Sequence, residues 1–89
     1  MTEIDDLLDE REKTHGKFLE VAMVAQEIKS IMRESRNWKS LDPAMQEALD
    51  MIGNKIGRLL SGNPHFEDHS DDIGGYAELL RKAVKWNNS

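Results

Sequence analysis

The stretch HFEDHSDDIGGY, His65 to Tyr76, gathers two histidines, Glu67, Asp68, Asp71 and Asp72 ahead of a double glycine and the only tyrosine of the chain. Such a set suits three chemistries: imidazole and carboxylate ligands to a metal, acids at a helix start, or one wall of a ligand pocket. His65 and His69 lie four apart and would share a helical face, but Pro64 and a helix start near Ser70 leave His65 in a loop. A metal site also needs ligands held in place by supporting hydrogen bonds. Acids in a first helical turn need no ligand, because the helix dipole favours each by about 0.3–1 kcal/mol when exposed. Asp72 is the exception. On a helical wheel it falls beside Tyr76 at the edge of the apolar face, where a partly desolvated carboxylate seeks a cation.

The preceding helical segment offers that cation. Glu47, Asp50, Asn54 and Arg58 line one polar face, with Lys55 to one side. Two readings stay open: an Asp72–Arg58 salt bridge joining two helices, or a shared ligand pocket. Gly53, Gly57, Gly74 and Gly75 fall inside helices, where glycine costs about 1 kcal/mol against alanine. Close approach of two helix backbones would offset that cost; so would a flat ligand lying against the exposed backbone. Thr14, His15 and Gly16 form either a simple turn or a polar loop closing over a pocket. No serine sits in a nucleophile elbow and no glycine-rich phosphate loop occurs, so no catalytic residue is assigned.

The elements that must position these residues are helical. Helix one, near Glu3 to Lys13, has only Ile4, Leu7 and Leu8 to bury, and Gly16 supplies a left-handed turn after it. Helix two, Phe18 to Glu34, carries Phe18, Val21, Ala25, Ile28 and Met32 as one stripe. Asp42 and Pro43 suit the N-cap and first position of helix three, whose stripe is Met45, Leu49, Ile52, Ile56 and Leu59. Gly62 and Pro64 end it. Helix four starts between Asp68 and Asp71 and should bury Ile73, Tyr76, Ala77, Leu80 and Val84. No strand pattern competes. The expected fold is all-α, a compact bundle of about four helices in a single domain over residues 1–89.

Composition narrows the partners. Hydrophobic residues make up 38% and aromatics 6% of the 89 residues, a thin core that self-association would supplement, so a homo-oligomer is expected. A net charge of −5 disfavours general binding to nucleic-acid phosphates. The absence of cysteine excludes disulfides and thiolate chemistry. No apolar run approaches the ~20 residues that span a bilayer. No membrane association and a cytoplasmic location are expected.

Three segments, REKTHGKF, ALDMIGNKIGRLLSGNP and DHSDDIGGYAELL, together resemble a family of small uncharacterised phage and prophage helical proteins, over roughly residues 11 to 80. The polar positions marked by that resemblance are Thr14, Gly16, Lys55, Arg58, Asp68, Asp72 and Tyr76. More distantly the arrangement looks like the all-α NTP pyrophosphatases, the MazG-like group, which hold Mg²⁺ with acidic clusters. Their E-x-x-D element would map onto Glu47 and Asp50, which the resemblance makes candidates for holding the metal, with Asp72 beside them in an enzymatic reading. Their E-E-x-x-E element has no match, since Glu20, Glu27 and Glu34 are too widely spaced. The resemblance therefore implies a phage-type protein that binds a nucleotide or other phosphorylated small molecule between helices three and four. Lys55 and Arg58 would meet phosphate, Asp72 and Tyr76 would orient and stack, and Thr14 and Asp68 would complete the site. No cofactor is expected except Mg²⁺ under the enzymatic alternative, and whether the chain is an enzyme stays open, because the acidic metal-binding set is incomplete. The alternatives are a Mg²⁺-dependent nucleotide pyrophosphatase and a ligand-free protein that binds a host protein. For a phage protein the location would be the cytoplasm of the bacterial host.

Overall fold

The computed structural model describes residues 3–88. Four helices run in chain order: α1 (Glu3–His15), α2 (Phe18–Glu34), α3 (Pro43–Ser61) and α4 (Glu67–Asn87), with a single 3₁₀ turn (Trp38–Ser40) between α2 and α3. No strand occurs among the described residues. The bundle is drawn out along one axis, 53 × 24 × 22 Å.

The helix boundaries follow local chemistry. At the start of α3 the Asp42 carboxylate accepts the Met45 N–H at 2.8 Å, and Pro43 opens the helix where its missing N–H is no loss. Gly62 ends α3, its N–H donating to the Arg58 carbonyl at 2.8 Å. Gly16 takes φ +83°, the left-handed conformation that closes a helix C-terminus, and its N–H caps the Glu12 carbonyl at 2.9 Å. α4 begins at Glu67, a residue earlier than its acids suggested, because a tight turn at Asn63 feeds Phe66 and His69 N–H groups into the preceding carbonyls. The 3₁₀ turn follows from no periodicity in the sequence. Its Trp38 lies under the Arg33 guanidinium, 5.5 Å from the ring centroid, and its carbonyl accepts from the Gln46 side chain at 2.9 Å.

α3 is the spine of the bundle, with α2 and α4 packed on different faces of it. Toward α2 its surface is glycine. A methyl group placed on Gly57 would sit 3.1 Å from the Val21 carbonyl oxygen, and one on Gly53 would meet Ile28 at 3.5 Å. Close helix–helix approach is therefore the reason for these two glycines. α2 covers them, so the space against their backbone is filled by Val21, Ala25 and Ile28. Gly74 and Gly75 differ: nothing lies within 4 Å of either missing side chain.

The core is thin, with Ala25 and Ala48 the only buried hydrophobic residues among those described. Several expected core positions face out. Phe18 heads the α2 stripe yet is 78% exposed, because the short Gly16 turn sets it at the rim of the bundle. Ala77 and Val84 are also exposed. α4 instead turns His69, Asp72, Ile73, Tyr76, Leu80 and Ala83 inward, a spacing of three and four anchored by His69. In α1 no residue is buried, and Ile4, Leu7 and Leu8 all stand open.

These glycine environments predict opposite effects of one substitution. Gly74→Ala or Gly75→Ala gains helix propensity in open space and should stabilise the fold by about 1 kcal/mol, or about 4–8 °C in Tm for a domain of this size. Gly57→Ala should lower Tm, because the neighbour that must yield is backbone. Thermal unfolding followed by circular dichroism checks both.

Candidate functional site

The densest polar junction lies where the end of α1 crosses the α3–α4 connection. Helix C-terminal carbonyls lack partners within their own helix. The Thr14 carbonyl finds two from elsewhere in the chain: His69 Nε2 at 2.7 Å and the Asn63 N–H at 3.0 Å. A carbonyl only accepts, so His69 carries its proton on Nε2. His69 is 1% exposed and is the only fully buried large side chain among the described residues. It stacks edge-on against His15 and Phe66, with centroids 5.1 Å apart in each case. His69 is thus a structural histidine, while His65, its supposed co-ligand, is exposed in the loop. Nothing local in the sequence pairs residue 15 with residues 66 and 69. The one hint is an aromatic residue, Phe66, directly before an acidic helix start.

Asp72 finds its cation on α3, as its wheel position predicts, but the partner is Lys55 at 2.9 Å rather than Arg58. The Lys55 side chain is 12% exposed and that of Asp72 44% exposed, so the pair closes the α3–α4 seam with the lysine held inside. The hydrogen bond from Lys55 holds the Asp72 carboxyl below its ordinary range, and the charges of Lys55, Arg58 and His69 add to the effect.

Arg58 points elsewhere. With Arg11, His15 and Gly16 it lines a groove of about 550 Å³ between α1, α2 and α3, whose apolar side includes Phe18, Val21, Ala22 and Ala25. The half-buried Arg58 guanidinium makes no hydrogen bond or ion pair among the described residues, and neither does that of Arg11. Their charges converge on His15, whose pKa is lowered chiefly by burial and further by Arg11, Arg58 and His69. His15 Nδ1 lies 2.6 Å from the Thr14 hydroxyl, which fixes the ring at the groove wall.

The residues expected to share one pocket are therefore divided. Lys55 and Asp72 are spent on each other. Tyr76 lines a second groove, of about 480 Å³, between the start of α3 and the end of α4. Asp68 is exposed on the helix start. Thr14 contributes its carbonyl to the junction and its hydroxyl to His15. Only Arg58 faces an open groove together with a second cation, Arg11; His15 lines it as the polar-loop reading allows, whereas Arg11 and Asn54 carry no ligand role in the sequence reading.

The acidic pair does not fit a Mg²⁺ centre. Asp50 accepts the Arg33 guanidinium at 3.3 Å, whereas the exposed Glu47 lines the second groove. Among the described residues no three His, Asp or Glu side chains converge as a metal site would require. No helix among them is long and apolar enough to cross a membrane. Compared with protein-family models, curated proteins and solved structures, the chain matches none.

The Lys55–Asp72 pair predicts an asymmetric response. Asp72→Asn strands a nearly buried ammonium and should lower Tm more than Lys55→Met, which leaves an exposed-edge carboxylate and keeps the aliphatic stem. Because the folded pKa of Asp72 lies below its ordinary 3.8, its contribution is complete above that pH and is lost as pH falls through the folded value. The Tm gap between wild type and Asp72→Asn should therefore close in strong acid.

Proposed function

We propose that this is a phage-type binding protein for a nucleotide or other phosphorylated small molecule, held in the α1–α2–α3 groove. The observation that carries the reading is the Arg58 guanidinium, half-buried and unpaired, opening into a groove of about 550 Å³. A guanidinium fork matches phosphate in a way a solvated lysine does not. Arg11 approaches the same space from α1, and the side chains of Asn54 and Gln26 add neutral hydrogen-bonding groups. Glu12 shares the rim, and its carboxylate suits a sugar hydroxyl rather than phosphate. Val21, Ala22 and Ala25 offer a flat apolar surface for a base. Volume, apolar wall and a few convergent polar groups together are what a small-molecule site needs. The motif resemblance to small phage proteins, in which the position of Arg58 is marked, points the same way.

The lowered pKa of His15 adds a pH signature. At neutral pH its ring is uncharged in the free protein, and a phosphate between Arg11 and Arg58 would favour its protonation. Binding should then take up a proton, and affinity should rise as pH falls from the bound-state pKa of His15 to the lower free-state value.

A thermal-shift panel of nucleotides and inorganic phosphate, followed by calorimetry at several pH values, tests this reading. A ligand at 100 times its Kd stabilises the folded state by about 2.7 kcal/mol, which is readily seen. Arg58→Ala should abolish the shift and leave helical content unchanged, and Glu67→Gln should alter neither. A panel with no shift, or an undiminished shift in Arg58→Ala, would refute the assignment.

A further inference from the structure

The two ends of the chain carry opposite charge and uncovered apolar side chains. In α1, Ile4, Leu7 and Leu8 are 68, 69 and 54% exposed and lie on one stripe. Around them are Glu3, Asp5, Asp6, Asp9 and Glu10, with no basic residue before Arg11. A helix of 13 residues with none buried is marginal by itself, so the stripe needs a surface to cover it. At the other end, α3 and α4 form the second groove, of about 480 Å³. Ala44, Ala48 and Ala83 are its small residues, and Tyr76, Leu79 and Trp86 its large ones. Small residues flanked by large ones make a trough that accepts the ridge of another helix. Lys82 from α4 and Glu47 from α3 stand on its rim, and Lys85 follows Lys82 on the same end of α4.

We propose that the chain forms a two-fold dimer in which the Ile4–Leu7–Leu8 stripe of each α1 docks into the α3–α4 groove of the other copy. The acidic flank at Glu3 then faces Lys82 and Lys85, while Glu10 keeps its ion pair with Lys13 at 2.9 Å. A second copy is the occupant because one chain carries both complementary halves, and reciprocal docking covers both helices and both grooves in a closed assembly. The areas agree. The stripe with Leu79 and Trp86 is 54–80% exposed, and at roughly 100–200 Å² of uncovered surface for each such side chain it places on the order of 600 Å² per subunit in the contact. That approaches the ~800 Å² per partner of a standard interface. The proposal does not rest on the anion-binding reading, whose groove lies between α1, α2 and α3 and shares only Leu8 with the stripe.

Sedimentation of the full chain at micromolar concentration should show a dimer. Leu7→Ala, which keeps helix propensity, should weaken it about tenfold or more. Lys82→Glu should weaken it similarly, and adding Glu3→Lys to Lys82→Glu should restore it. In a Trp38→Phe background, Trp86 emission should move to shorter wavelength as protein concentration rises. A chain that stays monomeric at hundreds of micromolar overturns the proposal and leaves both surfaces to a different partner. So does a dimer indifferent to Leu7→Ala and Lys82→Glu but dissociated by Met23→Lys, which would place the interface on α2. A concentration-independent Trp86 shift lost in Leu7→Ala also overturns it, because α1 would then cover its own groove.

Discussion

The carbonyl oxygen of Thr14 holds the architecture together. It is the kind of group a helix C-terminus leaves unsatisfied, and it is satisfied by a buried imidazole from α4 and a backbone N–H from the α3–α4 connection. Those two bonds tie the end of α1 to the first turn of α4 and to the α3–α4 connection at one point. They require the chain to cross itself closely, which is why glycine stands on both sides of the crossing. A side chain on Gly16 would overlap the Ser61 backbone, and one on Gly62 would overlap the Thr14 carbonyl. The left-handed φ of Gly16 then sends α2 back along α3. With so little apolar burial elsewhere, this junction does work that a larger domain would leave to its core.

α3 distributes the remaining tasks around its circumference. One face is stripped to glycine so that α2 can approach, and another meets α4 through the Lys55–Asp72 pair. Its polar row is neutralised unevenly. Asp50 answers Arg33, Lys55 answers Asp72, and Arg58 is left facing a groove with no carboxylate bound to it. The same lysine that closes the α3–α4 seam therefore releases the arginine one turn further on. An Asp72 carboxylate that took Arg58 instead would have joined the helices equally well and closed the groove electrostatically. The geometry of α4, set by His69 at its first turn, decides between them.

Local signals reached far into this fold. The N-cap of Asp42, the turn at Gly16, the stop at Gly62 and the stripe of α3 are all written in neighbouring residues, and each element stands close to where those residues place it. The tight packing at Gly53 and Gly57 was legible too, because an interior glycine needs a compensating contact. Gly74 and Gly75 follow the same pattern and meet nothing. The apolar register of α4 was read one face away at Ala77 and Val84, since a wheel drawn from hydrophobic residues alone does not count a buried histidine as its anchor.

By itself, then, the sequence determined the helical class, the ends of the helices and the presence of a carboxylate on α4 that must find a cation on α3. These depend on spacing within a turn or two, where capping, propensity and periodicity operate. Tertiary structure alone decided which cation Asp72 takes, that His69 is buried beneath Thr14, and that Arg58 joins Arg11 and His15 rather than Tyr76. Those outcomes turn on the relative rotation of helices that meet across 17 residues of chain at Lys55 and Asp72 and across 55 at Thr14 and His69. The rotation is set by the crossing at Gly16 and Gly62 and by a single shared carbonyl, and no periodicity along one helix encodes it.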